Sequence, residues 1–121
     1  MEANFQRIAK TYITEFDIAK KYYTIIFTLN DIHLTKNEIN LVAFSAVNGT
    51  LSTPPIKQQF CEQFDVPSAS VYNIIGKLKK LNILIKDREN KIRINPVILP
   101  DFAQHTDIIL VIKMLKENGT A

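Results

Sequence analysis

With 121 residues, 46% hydrophobic and 22% charged, the chain suits one domain with a modest core and is too apolar for extended disorder. A net charge of +3 and a pI near 9.0 are compatible with a nucleic-acid partner without demanding one. The lone cysteine, Cys61, excludes an internal disulfide and a cysteine zinc cluster, and its setting in an apolar helix face predicts a buried, inert thiol. No apolar run has the length of a membrane span and Met1-Glu2-Ala3-Asn4 does not open a signal peptide, so a soluble, cytoplasmic protein is expected.

From the N-terminus, Phe5, Ile8, Ala9, Tyr12, Ile13, Phe16 and Ala19 recur at steps of three and four, which predicts a helix over 5–19. The β-branched and aromatic run 22–29 fits strand or helix; helix is favoured because no turn residue intervenes before Asn30-Asp31. Thr35 followed by Glu38 is a capping box, and Leu34 with Ile39 has the spacing of a hydrophobic staple. A helix over 36–48 follows, closed at Asn48-Gly49, and a polar loop covers 49–52.

Thr53 before Pro54 marks the next helix start, with Ile56, Phe60 and Phe64 as its apolar stripe. Asp65-Val66-Pro67 breaks it, and a helix over 68–81 repeats apolar residues at Val71, Ile74, Ile75, Leu78 and Leu81, the first four turned inward. Segments 81–86 and 91–95 flank Asp87-Arg88-Glu89-Asn90 as a short hairpin over 83–95, with Ile92 and Ile94 inward and Lys91 and Arg93 outward. Pro96 and Pro100 close it. The apolar run in 107–116 reads as strand or helix.

The order of helix, helix, helix and hairpin over about 34–95 resembles the winged helix-turn-helix superfamily. The stretch DVPSASVYNIIGKLKKLNILIKD carries the resemblance, VPSASV as the turn and start of a recognition helix and LKKLNILIKD as the passage into the first wing strand. The fold class expected is mainly α with a small β-hairpin wing, preceded by an N-terminal helical extension (1–33) and followed by a tail (97–121). The Leu34-Thr35 helix start after an apolar N-terminal helix also resembles small winged-helix proteins of phages and plasmids. The resemblance implies helix 68–81 in a DNA major groove and the hairpin on the flanking backbone.

A turn of about 100° per residue places Ala69, Tyr72, Asn73, Gly76, Lys77 and Lys80 on the outer face of that helix. Asn73 is the candidate reader of an adenine edge, Ser68 and Ser70 are candidate phosphate donors, and Tyr72 suits a sugar or thymine methyl. Lys77 and Lys80, with Lys86, Arg88, Lys91 and Arg93 on the hairpin, would neutralise backbone phosphates. The plainer reading of the same lysines is a solvated helix face with cations near its C-terminal end. Asp87 and Glu89 also dilute the hairpin's charge.

Nothing in the sequence marks an enzyme, a cofactor or a metal site. His33 and His105 are isolated, Gly49, Gly76 and Gly119 form no phosphate loop, and the aromatics fit core positions. Two functions remain. One is a double-stranded-DNA-binding regulator or a phage or plasmid replication or packaging factor, resident in the host cytoplasm or virion, with 5–19 and 107–116 as homodimerisation elements. The other is a winged helix serving as a protein-assembly module, as in a virion.

Overall fold

The computed structural model describes residues 14–99, which form a mainly helical unit with one small antiparallel hairpin. In chain order the elements are α1 (Glu15–Leu29), α2 (Lys36–Asn48), α3 (Pro54–Phe64), α4 (Ser68–Lys80), β1 (Leu84–Lys86) and β2 (Ile92–Ile94), then a single 3₁₀ turn, Pro96–Ile98.

Helix α1 departs from the expected first helix. Thr14 is extended (φ −82°, ψ 167°) and forms a capping box: the Asp17 amide donates to Thr14 Oγ1 at 3.2 Å, and the Thr14 amide to Asp17 Oδ2 at 3.2 Å. Two orphan amides are satisfied at once, so a helix starts here and none passes through Thr14 as the 5–19 expectation required. Residues 5–13 lie outside the described residues. The ambiguous run 22–29 is helical and continuous with the preceding turn, because Ala19, Tyr23 and Phe27, four residues apart, put one buried stripe on the core. The Tyr23 hydroxyl donates to the Ile98 carbonyl at 2.8 Å, which ties the far end of the described chain to α1. Burial pushes the Tyr23 phenol far above the ordinary tyrosine range.

Helix α2 is the hub, with α1, α3 and β2 packed on it. Its Thr35–Glu38 box is formed as the sequence indicates: the Thr35 amide donates to Glu38 Oε1 at 2.7 Å and the Glu38 amide to Thr35 Oγ1 at 3.3 Å. Gly49 ends it at φ 85°, a conformation costly for any residue with a Cβ. Segment 49–52 is no free polar loop. Leu51 is fully buried, its amide donates to the Ile92 carbonyl at 3.1 Å, and the Ile92 amide donates to Ser52 Oγ at 2.6 Å. These bonds give β2 a partner on its second edge and hold the hairpin against the hub.

An aromatic cluster joins α1, α2 and α3. Phe60 lies 5.4 Å from Phe44 and 4.8 Å from Phe64, and Phe64 lies 5.4 Å from Phe16. On α4, Val71, Ile75 and Leu78 face the core; the helix stops at Lys80, one residue before the expected end, and Leu81 is 43% exposed. The reason is the way the helix ends.

Helices α1, α3 and α4 share one ending. Asp31, Asp65 and Asn82 take left-handed backbone (φ 56°, 53° and 59°). The next residues, Ile32, Val66 and Ile83, donate their amides to Phe27, Cys61 and Leu78 carbonyls at 2.9, 3.1 and 3.0 Å. This is the Schellman arrangement with Asp or Asn in place of the usual glycine; their side chains tolerate that region better than other L residues do. Val66 and Ile83 are buried and Ile32 is half-buried against the core, so the endings are also hydrophobic anchors.

The hairpin pairs Leu84 with Ile94, Ile85 with Arg93 and Lys86 with Ile92. Asp87 shapes its turn: Oδ1 accepts the Glu89 and Lys91 amides at 2.9 Å each, and Asn90 follows in the left-handed region. Ile94 is buried and Ile92 half-buried, with Arg93 exposed between them. The tail segment 107–116 lies outside the described residues, within which no helix is long and apolar enough to cross a membrane.

Because Asn82 needs left-handed backbone, Asn82→Gly should leave stability within about 0.5 kcal/mol of the parent, whereas Asn82→Val should cost about 1–2 kcal/mol or more. Urea unfolding of the two variants decides this.

Candidate nucleic-acid interface

The circumference of α4 is divided between core and surface. Ser68, Ala69, Tyr72, Asn73, Lys77 and Lys80 are exposed, opposite the buried Val71, Ile75 and Leu78; Ser70 and Gly76 are half-buried at the boundary. The outer residues expected from helical rotation are thus together on one side. Tyr72 is 60% exposed, the most open aromatic ring among the described residues. Its N-terminal turn has no side-chain cap, because Pro67 stands at the cap position and carries no acceptor. The first amides of α4 remain available to an acceptor outside the chain.

Residue Lys57, on α3, is a part of this surface that sequence reasoning missed. Its Nζ sits 4.9 Å from the centre of the Tyr72 ring, a cation–π pair that joins α3 to the outer face of α4. Beneath the pair runs an apolar groove of about 260 Å³ between the two helices, with Pro54, Cys61, Ser68 and Val71 in its walls. Fifteen residues separate Lys57 from Tyr72 in sequence, and only the angle of the α3–α4 turn brings them together, so no local pattern could have signalled the pair. Cys61 lines the groove half-buried and is not the fully buried thiol expected.

Lys77 behaves differently from the free cation foreseen. Its Nζ is 2.9 Å from Glu38 Oε2 and 3.0 Å from Oε1, so it reaches back to the carboxylate that caps α2. The Glu38 side chain is only 8% exposed. Its burial alone would raise the pKa, but hydrogen bonds from the Thr35 amide and from Lys77, with the lysine charge, bring it below the ordinary glutamate value. One carboxylate therefore closes the start of α2 and holds the last turns of α4.

The hairpin cations divide the same way. Arg93 Nε is ion-paired with Asp87, and Lys91 Nζ lies 3.7 Å from Glu89 Oε2. The Asp87 carboxyl is held below its usual range by the Lys91 and Glu89 amides and by Arg93, against a smaller opposing effect of burial. Lys80, Lys86 and Arg88 are exposed and have no carboxylate within ion-pair distance among the described residues. On α3, α4 and the hairpin, Lys57, Lys79, Lys80, Lys86 and Arg88 have no carboxylate partner among the described residues, and three cations, Lys77, Lys91 and Arg93, are ion-paired within the fold. Among the described residues no three His, Cys, Asp or Glu side chains gather as a metal site.

Since folding favours the charged form of Glu38, its contribution to stability is full above the unfolded value near 4.5 and fades as pH falls through the lower folded value. Urea unfolding across that window should show the loss, and Glu38→Gln should flatten this part of the profile; an unchanged profile would mean that Glu38 is not coupled to folding. Removing the Thr35 hydroxyl (Thr35→Ala) should cost about 1 kcal/mol at neutral pH.

No protein-family model matches the chain, nor does any curated protein or solved structure.

Proposed function

We propose that the chain is a non-enzymatic, double-stranded-DNA-binding protein of winged helix-turn-helix architecture, with α4 in the major groove and the β1–β2 hairpin on the flanking backbone. The observation that carries the reading is the outer face of α4. It combines an amide side chain, an open tyrosine and uncapped helix amides with cations that have no carboxylate partner to either side, Lys57 on α3 over the Tyr72 ring and Lys80 at the helix end. In this reading the exposed Asn73 would read a base edge, and Ser68, among the uncapped amides, would meet a phosphate. Lys86 and Arg88 at the hairpin tip supply a second contact to the backbone.

Gly76 supports a partner on this face. A methyl group built on it would meet no atom of another described element within 4 Å, so packing among the described residues does not require glycine there. Glycine in a helix interior nevertheless costs about 1 kcal/mol relative to alanine. A close approach from outside accounts for that cost, and a DNA backbone or base edge fits.

The protein-assembly reading has its own support. Neutralising Lys77, Lys91 and Arg93 within the fold leaves a thinner positive surface, and Tyr72 and Leu81 are exposed apolar contacts beside it. Such a module would bind a protein partner with little dependence on salt.

Fluorescence anisotropy with a mixed-sequence duplex at several salt concentrations separates the two. The DNA reading expects affinity to fall with salt at a slope of about −0.9 per phosphate contact. Lys57→Ala, Lys80→Ala, Lys86→Ala and Arg88→Ala should each reduce that slope by about one, while Lys91→Ala and Arg93→Ala change it less. Asn73→Ala should relax sequence preference, by about 1–3 kcal/mol at one base pair. No binding at low salt contradicts the reading.

A second outcome concerns Gly76→Ala, which should stabilise the chain by about 1 kcal/mol in urea and yet weaken partner binding. A variant that gains stability and binds as before would remove Gly76 from the interface.

A further inference from the structure

The groove beneath the Lys57–Tyr72 pair has the make-up of a small-molecule site. Its volume of about 260 Å³ exceeds a packing gap and falls just under the roughly 300–1,000 Å³ usual for ligand pockets. The buried Val71 and the half-buried Cys61 line it, with Pro54 and the Tyr72 ring beside them. Apolar walls of this extent, open to water, are poorly matched to it.

We propose that this groove binds a small aromatic carboxylic acid, with its ring against Val71, Cys61 and Tyr72 and its carboxylate at Lys57. Lys57 Nζ stands 4.9 Å from the centre of the Tyr72 ring, so the charge and the aromatic wall meet at one edge of the groove. This lysine has no carboxylate partner among the described residues. Ser68, in the same wall, adds a hydroxyl at the start of α4, where no side chain caps the first amides. None of the lining residues is acidic. Glu62, on the same helix as Lys57, is engaged by Gln58, whose Nε2 donates to Oε1 at 3.2 Å.

Ring and charge both follow from the lining. Small-molecule sites pair mostly apolar walls with a few polar groups that fix orientation, and Lys57 with Ser68 fills the second role. A flat ring packs by face or edge against Tyr72 and covers the aliphatic and thiol surface beside it. The carboxylate then gains a charge-assisted hydrogen bond from Lys57. The volume suits one ring or two fused ones. A nucleotide sets a polar sugar between its ring and its phosphate, which makes it too large and too polar for these walls. The proposal concerns the groove alone and does not depend on the DNA reading.

Cys61 is the only cysteine in the chain, so alkylation of its thiol by iodoacetamide, read by mass spectrometry, reports on the groove alone. Calorimetric titration of the full chain with 2-naphthoate, in the absence of duplex, gives the affinity. The expected result is saturable one-to-one binding that slows the alkylation of Cys61 in proportion to occupancy. The uncharged 2-naphthamide and thymidine monophosphate should each bind at least about tenfold more weakly. Lys57→Met should lower the affinity for 2-naphthoate about tenfold and leave that for 2-naphthamide unchanged. A titration still unsaturated at about 1 mM overturns the proposal. So does binding that leaves Cys61 as reactive as before, or equal affinity for acid and amide. Nucleotide binding as tight as that of the acid, or a Lys57→Met variant that binds 2-naphthoate like the parent, overturns it as well.

Discussion

The path of this chain depends on how its helices end. A left-handed Asp or Asn followed by Ile or Val closes α1, α3 and α4. In each case the second residue bonds back to a carbonyl of the last turn and turns its side chain towards the core. The direction of the exit is fixed by the backbone and the anchor together, so the next element begins at a defined place. Asp65-Val66 sets the angle from α3 to α4, and Asn82-Ile83 sets the start of the hairpin. The outer face of α4 and the tip of the hairpin are placed by those two joints. Loosening either would move the open cations relative to Asn73 without touching a single one of them.

The charges are arranged around the same frame. Glu38 satisfies the start of α2 and pairs with Lys77, so the end of α4 is fastened to the hub helix. Asp87 both shapes the hairpin turn and pairs with Arg93. Cations used in this way hold the fold and are not available to a polyanion at full strength. Lys57, Lys80, Lys86 and Arg88, four of the cations with no carboxylate partner among the described residues, are spread over α3, α4 and the hairpin.

Much of this was legible in the sequence where the signal is local. The Thr35–Glu38 box, Gly49, the break at Asp65 and the hairpin turn all rest on residues within four positions of one another, and each took the form its chemistry favours. The same box at Thr14 and Asp17 was overlooked because apolar spacing ran across it, although the two residues were there to be read. The expected end of α4 at 81 ran one residue past the end that Asn82 imposes. What could not be read was long-range: Lys77 on Glu38, Lys57 on Tyr72, and the bonds from segment 50–52 to Ile92. Each joins residues at least 15 positions apart, and none has a signature before the helices are packed. For the candidate site, helical rotation identified the outer residues of α4, while the division of cations into paired and open required the fold.

The central claim is that the outer face of α4 and the hairpin tip form one surface for double-stranded DNA. Backbone amide chemical shifts, followed while a mixed-sequence duplex is titrated into the labelled chain, test it most directly. The expected result is a set of shifts over Ser68 to Asn73, Lys80 and Lys86 to Glu89, with Lys57 among them and α1 unmoved. Shifts absent at saturating duplex, or confined to α1 and segment 49–52, would contradict it.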